Sequence, residues 1–306
     1  MRIVVAKPRG FCAGVERAIK TVELALEKFG KPVYILNPIV HNRHVVNSLA
    51  ERGAIFVRSI EEVPEGAILL FSAHGVPPEN ITKAQSRRLK IIDATCPLVE
   101  RVHIYARRYT DKGYTVILIG DADHDETKGT LGWTYGKGIL ISTKKEAEKI
   151  HIDNPEKLAY ITQTTLSIDD SKEIIEILKK RFPNIESPAS SNICYATTNR
   201  QKAVKELVNS VDAVIVVGDK ESANSKRLAE IARKTGKPTL LVLDASELNP
   251  DWFKNFNSIL ITSGASVPED FVQQVIEFIK SIEPSSVEEI TVIKEEIHFK
   301  LPEMPT

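Results

Sequence analysis

The sequence predicts an α/β protein made of three similar small α/β units, with mostly parallel sheets, around a pseudo-threefold axis. Short apolar or β-branched runs alternate along the chain with amphipathic stretches, which is the pattern of parallel strands joined by helices. The chain has 306 residues, which is enough for two or three domains of modest size. The segments around its three cysteines resemble one another, which indicates an internal repeat.

Eleven short runs have the composition of buried strands. They cover residues 3–6, 33–36, 54–57, 68–72, 91–94, 116–120, 139–142, 158–162, 214–218, 240–244 and 259–263. Apolar residues recur with helical spacing over 15–29, 174–178 and 271–279, and the Gly-Lys-Pro sequence at 30–32 is typical of a helix end. This alternation of strands and helices favours parallel sheets covered by helices.

The three cysteines define the internal repeat. Cys12 and Cys96 are each followed, three to five residues later, by Val-Glu-Arg, and Cys194 has a looser match with an arginine one place later. Cys96 precedes Cys194 by 98 residues, and the same 98 residues separate two similar runs, 116–121 and 214–219. We therefore expect each cysteine to precede a helix in one of three equivalent units.

Each third of the chain also contributes polar loops that follow strand-like runs. Ligands of open α/β sheets bind at the carboxyl ends of the strands, so three equivalent units would bring the cysteines to one point with polar side chains around them. The candidate site residues are Cys12, His41 and His74 from the first third, Cys96, His124, Glu126 and Thr164 from the second, and Cys194, Ser222, Asn224 and Ser266 from the third.

The predicted units meet at turn-rich and Pro/Ser-rich stretches. The first unit covers residues 1–96, the second covers 97–190 with Cys96 at its start, and the third covers 191–282. The last segment, 283–306, is strand-like over 287–301, and we expect this tail to pack on the body of the protein.

Charge and composition exclude several classes of function. Lysine plus arginine and aspartate plus glutamate each number 41, so there is no basic excess to attract a nucleic acid or a membrane surface. No run approaches the roughly 20 apolar residues of a membrane span, and the N-terminal apolar run is too short for a signal peptide. An odd number of cysteines, without a CxxC pair, argues against a disulfide framework. We therefore expect a cytoplasmic protein.

Three thiolates at one point favour a soft metal site, which is either zinc or an iron–sulfur cluster. A structural zinc site would need a fourth ligand, and a histidine could provide it. A 4Fe–4S cluster held by three cysteines would instead leave one iron open for a substrate. An open position of this kind indicates catalysis at the metal.

The polar residues around the cysteines suit an anionic substrate. Histidine, serine, threonine and asparagine side chains beside helix N-termini favour a phosphate or diphosphate. Glu126 is the one carboxylate that we expect to be catalytic, because a nearby cluster and anion should raise its pKa and make it a proton donor. Asp123 and Asp125 fit turn and capping roles. Structural or surface roles are expected for the remaining histidines, which are His44, His103, His151 and His298.

Eight short motifs carry a resemblance to a known family. They are GFCAGV (10–15), IVHN (39–42), SAHGV (72–76), DATCP (93–97), GDADHDE (120–126), QTTLS (163–167), ICYATTNRQ (193–201) and SANS (222–225). These motifs closely resemble the 4-hydroxy-3-methylbut-2-enyl diphosphate reductase family, and the likeness covers about residues 3–280. One position departs from the pattern, since many members have a second serine where this chain has Ala223. We expect fewer diphosphate contacts there and no change of reaction.

The resemblance implies an oxidoreductase at the last step of the non-mevalonate isoprenoid pathway. Two electrons remove the hydroxyl group of 4-hydroxy-3-methylbut-2-enyl diphosphate, which yields isopentenyl and dimethylallyl diphosphate. The implied cofactor is one 4Fe–4S cluster with three cysteine ligands and an open iron for the substrate hydroxyl, and the implied partner is a ferredoxin or flavodoxin. The implied metal ligands are Cys12, Cys96 and Cys194. The implied diphosphate ligands are His41, His74, Ser222, Asn224 and Ser266, with His124 as a further substrate contact.

The same resemblance implies that Thr164 and Glu126 form a proton relay, which lets water leave and protonates the allylic carbon. Thr164 is assigned in preference to Thr165 from the alignment of the repeats alone.

Two other functions fit the residues. An iron–sulfur hydro-lyase acting on a phosphorylated alcohol would also bind a hydroxyl at an open iron, but it would need no electron donor. A metal-binding sensor or structural protein could hold zinc with the three cysteines and His124.

Overall fold

The computed structural model describes residues 1–305. Within this range the chain forms twelve strands in three sheets, together with ten α-helices. The strands are β1 (Arg2–Lys7), β2 (Val33–Leu36), β3 (Ala54–Val57), β4 (Ile68–Phe71), β5 (Lys90–Asp93), β6 (Thr115–Ile119), β7 (Gly138–Ile141), β8 (Leu158–Thr162), β9 (Ala213–Val217), β10 (Thr239–Val242), β11 (Ser258–Ser263) and β12 (Ser286–Thr291). The helices are α1 (Ala13–Phe29), α2 (Arg43–Glu51), α3 (Pro78–Ser86), α4 (Pro97–Asp111), α5 (Asp125–Gly132), α6 (Lys144–Lys149), α7 (Ile168–Arg181), α8 (Tyr195–Leu207), α9 (Ala223–Lys234) and α10 (Glu269–Ile282).

Each of the eleven predicted strand runs lies in one of these strands, with ends that differ by two residues or fewer. The described residues form two compact units. Unit 1 comprises 1–15, 41–45 and 195–298, and unit 2 comprises 16–40, 46–194 and 299–305.

Unit 1 is built on a five-stranded parallel sheet with the order β10-β9-β11-β1-β12. Its three central strands, β9, β11 and β1, bury alternate residues on opposite faces, as the two-residue period of a strand requires. Ile3, Ile215 and Ile261 pack on one face with α10, whereas Val4 and Val216 pack on the other face with α8 and α9. Burial on both faces explains why these strands appear as continuous apolar runs in the sequence.

The first and last strands of the chain are neighbours in this sheet. Strand β1 lies between β11 and β12, and β12 pairs with it in parallel from Arg2 to Lys7. Strand β12 falls in the segment predicted as a packed tail, and β1 falls in the predicted first unit. The predicted boundaries after residues 96, 190 and 282 stay predictions.

Unit 2 contains the other two sheets, which are also parallel. One has the order β3-β2-β4-β5 and packs apolar residues against α3, and the other has the order β7-β6-β8. Strands of the β7-β6-β8 sheet pack with α6 and α7 in one cluster and with α4 in another. The α/β class with three small parallel sheets is therefore confirmed, and the pseudo-threefold axis stays a prediction.

Among residues 1–305, no helix has both the length and the apolar character that a membrane crossing requires.

Candidate active site

Each of the three cysteines is the residue immediately before a helix. Cys12 precedes α1, Cys96 precedes α4 and is its N-cap, and Cys194 precedes α8. All three are partly buried, and none of them forms a disulfide within the described residues. A helix N-terminus carries a partial positive charge, so all three cysteines lie where the helix dipole favours an anionic ligand group.

The backbone of each cysteine is anchored in the same way. Its N–H donates to the carbonyl oxygen of a loop residue that follows a parallel strand. The three bonds are Cys12 N to Ala265 O (3.1 Å), Cys96 N to Ala73 O (3.0 Å) and Cys194 N to Thr164 O (3.0 Å). The repeat inferred from the sequence is therefore present in the hydrogen bonding of the three cysteine loops.

Unit 1 brings the residues predicted from the first and last thirds of the chain into one group. The Cys12 loop is bonded to the loop after β11, and in that loop the Ser266 hydroxyl donates to the carbonyl oxygen of His41 at 3.1 Å. The segment after His41 is tied to the end of β9, because Arg43 donates from both N and Nε to Asp219 Oδ2 at 3.1 Å. These links place the carboxyl ends of β9 and β11 beside His41.

The start of α9 carries buried polar side chains in unit 1. Ser222 is the N-cap, and its hydroxyl accepts from Ser225 N at 3.3 Å. Asn224 is 5% exposed, and neither polar atom of its amide has a hydrogen-bond partner among residues 1–305. Gly264 lets the loop after β11 pack closely against the start of α9. A Cβ at Gly264 would overlap Ser225 and would lie 3.7 Å from Asn224 Nδ2. Buried amides almost always have partners, so this geometry favours a polar ligand at Asn224.

Unit 2 brings together two of the predicted histidines. The rings of His74 and His124 meet edge to face with centroids 5.5 Å apart. His124 is the N-cap of α5, and its Nδ1 accepts from Glu126 N at 3.2 Å. A neutral His124 therefore carries its proton on Nε2, which makes that atom a donor suited to a phosphate or hydroxyl oxygen.

Glu126 and Thr164 form a buried, hydrogen-bonded pair in unit 2. Both are buried, at 2% and 4% exposure. Thr164 N donates to Glu126 Oε1 at 2.7 Å, and Thr164 Oγ1 is 2.8 Å from Oε2. Burial raises the pKa of Glu126 to about 7, the two hydrogen bonds from Thr164 oppose this change, and the charge of Asp121 adds to it. The sequence predicted the direction of this change, but burial alone accounts for most of it.

Gln163 is a buried residue of this site that the sequence did not single out. Its Oε1 accepts from Asp121 N at 2.8 Å and from Thr127 Oγ1 at 3.2 Å, and its Nε2 donates to Thr165 Oγ1 at 2.9 Å. Gln163 thus joins the loop after β8, which carries Thr164, to the loop after β6 and to α5, which carries Glu126. Gln163 also donates a hydrogen bond to the Thr165 hydroxyl. Of the two adjacent threonines, Thr164 is the one whose hydroxyl contacts Glu126.

The histidines outside the predicted set contact protein groups or solvent. His103 is buried, burial lowers its pKa to about 4, and its ring stacks on Trp133 with centroids 5.7 Å apart. The His103 ring also packs closely against Gly75 in the His74 loop, so that a Cβ on Gly75 would overlap the ring. His44 bonds Asp244 at 2.7 Å and stacks on Phe271. His151 and His298 are exposed.

Comparison with known proteins identifies the family. The model of the LytB protein family matches residues 3–280. The chain belongs to the LytB family. Relatives include the 4-hydroxy-3-methylbut-2-enyl diphosphate reductase of Actinobacillus succinogenes, which is 49% identical over 305 residues covering 99% of this chain and 97% of the relative. The reductase of the same name from Zymomonas mobilis is 47% identical over 302 residues, covering 99% and 89%.

Solved structures of LytB-family enzymes share this fold. The E-1-hydroxy-2-methyl-but-2-enyl-4-diphosphate reductase from Plasmodium falciparum matches with a TM-score of 0.95 and 38% identity, covering 98% of this chain and 95% of that chain. A second structure, of an (E)-4-hydroxy-3-methyl-but-2-enyl diphosphate reductase described as the terminal enzyme of the non-mevalonate pathway, matches with a TM-score of 0.65 and 35% identity, covering 92% and 100%. The resemblance carried by the sequence motifs is therefore confirmed.

LytB-family enzymes are generally 4Fe–4S enzymes. The cysteines of this chain fit such a group in their chemistry, since three thiols are soft donors and each is partly buried at a helix start with its backbone anchored. Ala223, for which a loss of diphosphate contacts is expected, is the first residue of α9 and is buried beside Ser222.

Proposed function

We propose that this chain catalyses the two-electron reductive dehydroxylation of 4-hydroxy-3-methylbut-2-enyl diphosphate to isopentenyl diphosphate and dimethylallyl diphosphate, the last step of the non-mevalonate pathway. Membership of the LytB family supports this reaction. The single structural observation that carries it is the buried Glu126–Thr164 pair, whose carboxyl has a pKa of about 7. The reaction consumes two electrons and two protons and releases one water, so it needs a residue that can supply a proton near neutral pH.

Glu126 and Thr164 form the proton path of this proposal. A carboxyl with a pKa of about 7 is present in both protonation states near neutral pH, which is the condition for efficient proton transfer. When it is protonated, the carboxyl donates to Thr164 Oγ1, and the threonine hydroxyl passes its own proton to the substrate. The leaving hydroxyl takes one proton and departs as water, and the allylic carbon takes the other.

We propose that Cys12, Cys96 and Cys194 are the three ligands of one 4Fe–4S cluster. Their thiolate chemistry and their shared position before a helix support this assignment. When bound to these three residues, such a cluster would supply electrons one at a time and an open iron for the substrate. A strong one-electron carrier must supply those electrons, and the proposed partner is a ferredoxin or flavodoxin.

We propose that five polar side chains bind the diphosphate group of the substrate. The unpaired amide of Asn224 supports this assignment most directly, together with the backbone N–H groups at the start of α9. The proposed diphosphate ligands are His41, His74, Ser222, Asn224 and Ser266. His124 is proposed as a further substrate contact through its Nε2–H. Because cluster assembly needs reduced thiols, we place the protein in the cytoplasm.

Anaerobic turnover of the reconstituted protein tests the proposed function. The assay supplies 4-hydroxy-3-methylbut-2-enyl diphosphate and a strong one-electron reductant, with iron, sulfide and zinc measured in the same sample. Formation of both five-carbon diphosphates, only with cluster and reductant, is the expected result. A full cluster without reduction would favour the hydro-lyase or sensor function, and zinc instead of iron would favour a structural site.

A further inference from the structure

A buried arginine, Arg200, lies against the loop that carries Cys12. It belongs to α8 and is fully buried. Its Nη2 donates to Gly10 O at 2.8 Å, and its Nη1 donates to Ala196 O at 3.0 Å. The same Nη1 lies 3.2 Å and 3.4 Å from the two carboxylate oxygens of Glu295. The guanidinium thus joins the Cys12 loop, its own helix and a residue beyond β12.

Four backbone groups of the Cys12 loop, residues 10–13, form hydrogen bonds within unit 1. Gly10, which has a φ of +70°, donates from N to the Ser263 hydroxyl at 2.8 Å. Cys12 N is bonded to the β11 loop, and Ala13 N donates to the Tyr195 hydroxyl at 3.1 Å. Arg200 provides the partner of the Gly10 carbonyl. Each hydrogen-bonded group in this set restricts the backbone that presents the cysteine.

Glu295 makes the burial of Arg200 tolerable. Its side chain is 15% exposed, and it also accepts from Asn199 Nδ2 at 3.0 Å. A buried charge is costly unless it is paired and its hydrogen bonds are satisfied. Because apolar side chains in place of a buried ion pair are often equally stable or more stable, stability alone does not explain why the chain keeps this pair. By contrast, Lys202 and Glu206 on the same helix form an exposed pair, which contributes little.

We propose that Arg200 is a positioning residue, which together with Glu295 fixes the Cys12 loop so that its thiolate is presented to the iron–sulfur cluster. This inference rests on the proposed assignment of Cys12 as a cluster ligand. Groups that orient metal ligands typically change metal affinity by roughly 10- to 100-fold when they are removed. The loop geometry also affects the reduction potential, because it sets the hydrogen bonds and charges around the sulfur.

The test compares three variants with the wild type as full-length reconstituted protein. Arg200→Met removes the charge and the donors, and Arg200→Lys keeps the charge but loses the forked geometry. Lys202→Met is the matched control, because it removes one positive charge from an exposed position of the same helix. The readouts are the rate of iron loss to a chelator, the cluster midpoint potential by EPR-monitored titration, and hydrogen exchange of peptides covering residues 10–13.

The expected result is iron loss roughly 10-fold faster or more in both Arg200 variants, a shifted midpoint potential, and faster exchange confined to residues 10–13. Lys202→Met should match the wild type in all three readouts. The inference would be overturned if folded Arg200→Lys lost iron at the wild-type rate and had the wild-type midpoint potential. It would also be overturned if hydrogen exchange rose equally throughout unit 1. If Arg200→Met fails to fold, Glu295→Gln replaces it, and wild-type values there would also overturn the inference. The proposed function fails separately, since that failure would be seen as no cluster or no turnover in the wild type.

Discussion

Glu126 should make the stability of the folded chain depend on pH. Burial raises its pKa to about 7 from an ordinary value of 4.5, so the folded state binds this proton more tightly than the unfolded state does. The contribution of the group to stability is therefore fully present below pH 4.5 and is lost as the pH rises through 7. The difference between the two pKa values corresponds to about 3 kcal/mol of unfolding free energy.

Glu126→Gln removes this dependence, because the amide is neutral at every pH while it keeps the shape of the carboxyl. As the pH rises from acid to about 8, the unfolding free energy of the wild type should fall by about 3 kcal/mol more than that of the variant. Urea unfolding of the full chain prepared without iron measures the difference at a series of pH values. Glu148→Gln is the control, since Glu148 is an exposed glutamate of α6 in the same unit.

An identical pH dependence in Glu126→Gln and the wild type would refute the buried, proton-binding carboxyl. The same variant links stability to catalysis. It should retain the cluster and bind substrate, yet lose roughly 100- to 10,000-fold in turnover, which is the usual contribution of a general acid. A variant that is more stable at neutral pH but inactive would show that the carboxyl is kept buried at a cost in stability.

Three further predictions concern the loops of the site. Serine in place of any proposed cluster ligand should abolish cluster binding, as measured by iron and sulfide content, and the ligands are Cys12, Cys96 and Cys194. Thr164→Val should lower turnover with little change in cluster content, whereas Thr165→Val should retain most activity, because the Thr165 hydroxyl meets Gln163 and not Glu126. Equal losses in the two variants would argue against the relay. Gly75→Ala should destabilise by about 1–3 kcal/mol because its φ is +74° and a Cβ would overlap His103. Gly66→Ala, with a φ of +73° and open space around it, should cost less in thermal unfolding.

Strands such as β8, β9 and β11 could be predicted because they are buried on both faces and appear as uninterrupted apolar runs. The candidate residues were grouped because Cys96, His124 and Glu126 precede Cys194, Ser222 and Asn224 by the same 98 residues, and this grouping stays a prediction. The position of β1 in the sheet could not be predicted, since its partners β11 and β12 lie at the far end of the sequence. Pairing between distant strands depends on which sheet edges meet, and local pattern contains no information about that.

Two site residues were missed for similar physical reasons. Arg200 is a long charged side chain on a helix, and such residues are mostly exposed, so its burial depends on Glu295, which lies 95 residues further along the chain. Gln163 follows a strand as many surface residues do, and its role depends on three hydrogen bonds with partners from two loops. In both cases the sequence shows the residue but not the distant partner that gives it a role.

The pairing of β1 has a consequence for biosynthesis. The first six-residue strand emerges from the ribosome early, but its neighbours β11 and β12 are made about 250 residues later. At roughly 5–20 residues per second, the nascent chain carries this apolar strand without its sheet partners for about 10–50 seconds. During that time the strand is open to chaperones or to pairing with other chains. The Cys12 loop, whose partners Ser263 and Ala265 are also made late, takes its final form only after those residues have been synthesised, so metal loading at this loop should follow their synthesis.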